Sequence, residues 1–162
     1  MQDPFECSPS SHKLCISSAL EQAEALCRTR NVRLTPIRFR VLELVWQQHS
    51  PVGAYDLLEQ LQQQGRVAPP TVYRALDFLQ QQGLIHRLES LNAFVGCVQP
   101  QHSHQGQFLI CKSCRSLVEM ADSEISRVIN RSAAAVDFVA LNQTVEVLGI
   151  CAGCRDREAS DV

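Results

Sequence analysis

The sequence predicts an α+β protein in two parts: a helical N-terminal part closed by a β-hairpin, then a small α/β C-terminal part. Three observations carry that expectation. Between residues 14 and 82 the apolar residues recur at helical spacing, broken by turns rich in proline and glycine. Residues 84–98 hold two short apolar runs either side of Ser90-Leu91-Asn92, the pattern of a hairpin. Residues 107–156 hold two Cys-x-x-Cys pairs, Cys111/Cys114 and Cys151/Cys154, each directly after an apolar run.

Size and composition bound the rest. A chain of 162 residues makes one medium domain or two small ones, and 45% hydrophobic residues can fill a core. The net charge of −2 excludes a globally basic nucleic-acid coat but leaves room for a local basic patch. No apolar run approaches the roughly 18 residues that span a bilayer, so no membrane partner is expected. Residues 13–20, Lys13 and then a short apolar run, faintly resemble a signal peptide, yet the run includes Ser17 and Ser18 and goes straight into Glu21. Secretion is therefore not expected, and the eight cysteines suit a reducing, cytoplasmic compartment with bound metal better than a disulfide framework.

In chain order, residues 1–13 carry Pro4, Pro9 and several serines and predict a loose tail. A DNA-binding-type domain is expected over 14–98. Ile16, Ala19, Leu20, Ala23, Leu26 and Cys27 give a first helix one apolar face, with Cys27 as a core thiol. Residues 28–40 then hold five arginines (Arg28, Arg30, Arg33, Arg38 and Arg40) and no acid, against 9 basic and 9 acidic groups over residues 1–92. That local excess marks a candidate patch for a DNA backbone. Thr35-Pro36 has the form of an N-cap followed by proline at the first helical position. Ile37, Val41, Leu44 and Val45 line the second helix, and Ser50-Pro51-Val52-Gly53 predicts a turn. A short third helix is expected over 55–61, with Leu57, Leu58 and Leu61 inward.

Pro69-Pro70-Thr71 opens a fourth helix that Gly83 closes. Val72, Leu76 and Leu79 fall on one line of it, whereas Arg74, Asp77 and Gln81 fall opposite and Tyr73 flanks them. The N-terminal end of such a helix, here Thr71, Tyr73 and Arg74, is what helix-turn-helix proteins place in a major groove. Arginine suits guanine O6 and N7. Helices followed by a hairpin describe a winged helix.

A hinge loop is expected over 99–106, around Pro100, His102, His104 and Gly106. The second domain is expected over 107–156. It would have a strand at Phe108–Ile110 and a helix from the N-cap Asp122 to about Val136, with Ile125, Val128 and Ile129 inward. Strands follow at Phe138–Leu141 and Thr144–Ile150, and residues 157–162 are a tail.

Two knuckles that each end a strand and contain a small residue, Ser113 or Gly153, offer four thiolates, the donor set of a closed structural zinc site. His86, Cys97, His104 and Glu119 add one sulfur, two imidazoles and one carboxylate around the domain junction. A metal held by them would join the two domains, and the thiolate favours zinc over iron or manganese.

At this point the residues resemble a family. Asn31-Val32-Arg33-Leu34-Thr35-Pro36, Ala54-Tyr55-Asp56-Leu57-Leu58 and the run Pro69-Pro70-Thr71-Val72-Tyr73-Arg74-Ala75-Leu76-Asp77-Phe78-Leu79 are similar to the ferric uptake regulator superfamily, and within it to the zinc-responsive branch. Gln82 to Ser90 and both cysteine pairs join the match, which covers roughly residues 15–156. The resemblance implies a dimeric, metal-activated repressor with an N-terminal winged helix and a C-terminal dimerisation domain. It implies structural zinc at Cys111, Cys114, Cys151 and Cys154, and sensor zinc at His86, Cys97, His104 and Glu119, hence two ions per chain. Tyr55 and Arg74 would read a pseudo-palindromic operator, with Thr71, Tyr73, Arg33 and Arg38 as further DNA contacts.

Some features depart from the family pattern. The histidine cluster is reduced to His102 and His104, which leaves His102 as an alternative sensor ligand, and no histidine-rich tail follows the second knuckle. Cys7 and Cys15 match nothing in the pattern. Rival expectations are an iron or peroxide sensor of the same superfamily, a zinc-stabilised thiol-disulfide oxidoreductase, and a zinc-stabilised protein-interaction module with no DNA role. The implied activity is not enzymatic.

Overall fold

The computed structural model describes residues 9–48, 50–101, 106–120, 122–141 and 143–160. The chain divides into two compact units, Met1–Ser103 and His104–Val162. No helix of the described residues is long and apolar enough to cross a membrane.

The first unit begins with α1 (Pro9–Thr29), which starts inside the stretch expected as a tail. Proline in a first turn gives up no hydrogen bond, so Pro9 opens the helix rather than blocking it. Ala23 and Cys27 are fully buried, and Asn31 ends the helix region with a left-handed backbone, φ +53°. α2 (Pro36–Gln47) follows Thr35 as expected, but the Thr35 side chain makes no capping hydrogen bond. Val52 and Gly53 form a two-residue strand, β1, rather than only a turn, because they pair with Phe94 and Ala93. α3 (Ala54–Gln62) starts with the Asp56 carboxylate accepting from the Gly53 N–H at 3.2 Å. α4 (Pro69–Gln81) ends at Gly83, φ +66°, where the Gly83 and Leu84 N–H groups donate to Gln80 and Leu79 at 2.9 Å.

The hairpin is β2 (Ile85–Leu88) and β3 (Ala93–Gly96), turned by Asn92 at φ +46°. The sheet order is β1-β3-β2, all antiparallel. Val41, Leu42, Leu44, Leu57, Val72, Leu76, Leu79 and Ile85 close one core between the helices and this sheet. It is the winged-helix arrangement that the periodicity predicted.

The second unit contains β4 (Gly106–Cys111), β5 (Leu117–Met120), α5 (Ser123–Ala134), β6 (Thr144–Gly149) and α6 (Ala152–Ser160). β4 is central, antiparallel to β5 and parallel to β6. Asp122 caps α5 by accepting from the Glu124 N–H at 2.8 Å. Buried Gln107 on β4 fastens that helix: its amide donates to the Asp122 carbonyl at 2.8 Å and to Ser126 Oγ at 3.0 Å.

Three expectations for this unit need correction. Phe138–Leu141 is not a strand; Phe138, Val139 and Leu141 are 64%, 77% and 94% exposed and pair with no strand among the described residues. Val128 on α5 is exposed rather than inward, although Ile125 and Ile129 are half-buried. The apolar pattern is genuine in both places, but among the described residues Phe138, Val139, Leu141 and Val128 stay exposed. The expected tail over 157–162 is helical as far as Ser160, because α6 continues the second knuckle.

Candidate metal centres and DNA-reading helix

Parallel pairing of β4 with β6 sets Cys111 opposite Gly149 and brings both strand ends to the same end of the sheet. The Lys112 N–H bonds the Gly149 carbonyl at 2.9 Å and locks that register. The first knuckle turns tightly, with Arg115 at φ +60° and its N–H on the Cys111 carbonyl at 3.0 Å. The second knuckle is the first turn of α6. Open space surrounds Gly153, so its smallness is not what lets the thiols meet.

The four sulfurs of Cys111, Cys114, Cys151 and Cys154 lie within 4.8 Å of one another, and Cys114 Sγ is 3.7 Å from Cys151 Sγ. A disulfide needs about 2.05 Å. A tetrahedron with Zn–S bonds of about 2.3 Å has sulfur–sulfur edges of about 3.8 Å. The donor set therefore fits one tetrahedral zinc ion.

Hydrogen bonds, burial and neighbouring sulfurs already set three of these thiols apart. The backbone N–H groups of Cys114 and Cys151 hold the Cys111 thiol down at about 6. The Ser116 hydroxyl, 2.8 Å from Cys114 Sγ, lowers the Cys114 thiol too. The Cys154 N–H favours the Cys151 thiolate, but burial and the neighbouring sulfurs outweigh it and push Cys151 up to about 11. Crowded thiols resist shared ionisation, and a divalent ion removes that conflict.

The hairpin positions two of the expected sensor residues. His86 on β2 sits opposite Val95, and Cys97 lies two residues beyond Val95, so both project on one face as diagonal neighbours. A ring nitrogen of His86 and Cys97 Sγ come within 4.8 Å. Cys97 is 3% exposed, and its N–H bonds the Leu84 carbonyl at 3.0 Å. In the second unit, Glu119 is half-buried on β5 opposite Phe108. His102 and His104 lie outside the described residues.

α4 buries Val72, Ala75, Leu76 and Leu79 and leaves Thr71 half-buried and Tyr73 and Arg74 exposed near its N-terminus. Tyr55, in the first turn of α3, is 78% exposed. The arginine run is less uniform than its charge suggested. Arg30 donates to the Gln82 carbonyl at 2.6 Å, Arg38 bonds the Arg33 carbonyl at 2.6 Å and stacks 3.6 Å over Phe78, and Arg40 pairs with Glu43. Arg28 and Arg33 are exposed.

Sequence reasoning missed the donors around the four cysteines. Ser116 follows Cys114 by two residues, a spacing that could have flagged it. Arg157 donates to Cys154 Sγ at 3.0 Å, but only from within a helix that the sequence was not expected to form.

Residues 29–148 match the family model described as "Ferric uptake regulator family". The chain belongs to the ferric uptake regulator family. The zinc uptake regulation protein of Escherichia coli K12 is 40% identical over 91% of this chain and 87% of its own length. A solved structure of a zinc uptake regulator complexed with zinc and DNA matches with a TM-score of 0.85 at 39% identity, covering 89% of this chain and 97% of that one. The crystal structure of holo XcZur matches with a TM-score of 0.81 at 45% identity, covering 86% and 98%. Family members are transcriptional regulators, which sets aside the oxidoreductase reading.

Proposed function

We propose that this protein is a zinc-responsive repressor that binds operator DNA as a homodimer when zinc is plentiful and silences zinc-uptake genes. The observation that carries the proposal is the buried Cys97 thiol beside His86 on the wing hairpin. A thiolate with an imidazole selects zinc over the harder-ligand metals iron and manganese. The similarity to a zinc- and DNA-bound regulator supports the same reading.

Two ions per chain are proposed. Cys111, Cys114, Cys151 and Cys154 hold the structural ion, which fixes the knuckles and the sheet end between them. His86, Cys97, His104 and Glu119 are the proposed sensor ligands, with His102 the alternative to His104. The zinc ion supplies no chemistry beyond tying these side chains together. It favours the DNA-competent conformation only by binding it more tightly than the others, and DNA must then raise zinc affinity by the same factor. Tyr55 and Arg74 would read the operator, with Thr71, Tyr73, Arg33 and Arg38 as further DNA contacts. The exposed apolar residues Phe138, Val139, Leu141 and Val128 support a homodimer, since patches of that kind mark protein contacts. Two copies of α4 related by a two-fold axis would call for a pseudo-palindromic operator, and a regulator of this family would work beside that DNA in the cytoplasm.

The test titrates free zinc against operator binding for wild type and Cys97→Ser. Serine keeps the shape but is a poor zinc ligand at neutral pH. The variant should stay folded with its four-cysteine zinc, and its zinc-dependent DNA binding should be lost. Overlapping titration curves would falsify the sensor assignment.

A further inference from the structure

We propose that Arg157 is a positioning residue of the four-cysteine zinc site: its guanidinium holds the Cys154 sulfur in place and offsets the charge of the loaded cluster, slowing loss of the ion. The inference rests on the reading of those four cysteines as zinc ligands.

Arg157 follows Cys154 by three residues on α6, so the two side chains share one face of the helix. The guanidinium donates to Cys154 Sγ at 3.0 Å, and Cys154 is 4% exposed. Four thiolates on one divalent ion leave a net charge of about −2. A partly buried charge of that size is costly unless counter-charges or hydrogen bonds meet it. The two knuckles are flanked by Lys112, Arg115, Arg155 and Arg157 against the acids Asp156 and Glu158. Of these cations, Arg155 lies 3.5 Å from Asp156 with both side chains about three-quarters exposed, 74% and 73%. Arg157 is aimed at a sulfur.

The other sulfurs have donors of their own. Ser116 Oγ stands 2.8 Å from Cys114 Sγ, and the Cys151 N–H donates to Cys111 Sγ at 3.4 Å. Arg157 extends that shell to Cys154, from the element furthest along the chain. Guanidinium stays charged throughout the working pH range, so its contribution is constant where a histidine's would vary. Removing a partner of a metal ligand typically weakens metal binding about 10–100-fold.

The experiment follows zinc transfer from the full-length, zinc-loaded protein to excess chromogenic chelator, after mild chelation has emptied the sensor site. Wild type, Arg157→Ala, Arg157→Lys and Arg155→Ala are compared, with far-UV circular dichroism on each. Alanine favours helix at least as well as arginine, so neither alanine variant should unwind α6. Arg157→Ala should speed the slow release about 10–100-fold, Arg157→Lys should restore part of the retention through its charge, and Arg155→Ala should stay within about twofold of wild type. Release from Arg157→Ala at the wild-type rate overturns the proposal, as does equal acceleration in Arg155→Ala, which would mean generic charge rather than contact. If wild type itself carries no cysteine-held zinc, the structural-site reading falls first and this proposal with it.

Discussion

Gly96→Ala should destabilise the N-terminal unit by about 2–3 kcal/mol, the upper part of the range for overpacked sites. Gly96 ends β3 opposite Ile85, and the indole of Trp46, near the end of α2, occupies the space that a Cβ on Gly96 would take. A methyl group there would sit 2.2 Å from Trp46 Cε2 and 2.6 Å from both Cζ2 and Nε1. Non-bonded carbons settle at about 3.5–4.0 Å, so the strand or the ring must move by more than an ångström. The ladder bonds of β3 hold the strand, and the core holds the ring. Gly96 is not at positive φ, so without the clash alanine would stabilise by about 0.4–1 kcal/mol through the unfolded chain. The sign of the effect therefore tests the contact. For a unit of this size the loss corresponds to a fall in Tm of about 10–20 °C. Trp46 is the only tryptophan, so its fluorescence in a urea titration reports this contact directly, with circular dichroism alongside. In a Trp46→Ala background the same Gly96 substitution should cost at least 1 kcal/mol less, a coupling of the size seen for residues in contact. Equal costs in both backgrounds, or no cost in either, would refute the reasoning.

Two further predictions concern the metal and the DNA. Cys111→Ser should abolish the stable fold of the C-terminal unit, because structural zinc binding is coupled to folding; a stable, zinc-free variant in metal analysis and thermal melting would remove the structural assignment. Arg74→Ala should weaken operator binding by about 1–3 kcal/mol and relax preference at one base pair, whereas Arg33→Ala should weaken all sequences alike and flatten the salt dependence. Binding of the specific operator by Arg74→Ala at wild-type strength would mean the recognition helix is misplaced.

The N-terminal unit was legible because its signals are local. α4 could be bounded to the residue, since Pro69 starts it and Gly83 supplies the left-handed cap, both short-range facts of backbone chemistry. The hairpin was legible for the same reason, whereas the shared face of His86 and Cys97 follows only from its register, with His86 opposite Val95. β1 was not: two residues carry no periodicity, and Val52 and Gly53 become a strand only because β3, forty residues on, offers an edge. Arg38 counts toward the candidate DNA patch because charge is visible in sequence; its stacking on Phe78 is not.

In the C-terminal unit the apolar pattern is real, but the strand and the inward Val128 expected from it are absent among the described residues. Phe138, Val139 and Leu141 have the composition of a buried strand, and strand propensity is a statement about fitting a pleated, half-buried surface. It says nothing about which chain supplies that surface. The four-cysteine site shows the opposite case. Cys114 and Cys151 are 37 residues apart, too far for a compact knuckle, yet they lie 3.7 Å apart. What closes the gap is the parallel pairing of β4 and β6, which antiparallel neighbours could not give. A strand that returns parallel must first cross the sheet, and α5 makes that crossing. The 37-residue spacing is the length of a crossover, so the helix between the knuckles is part of how the ligands meet.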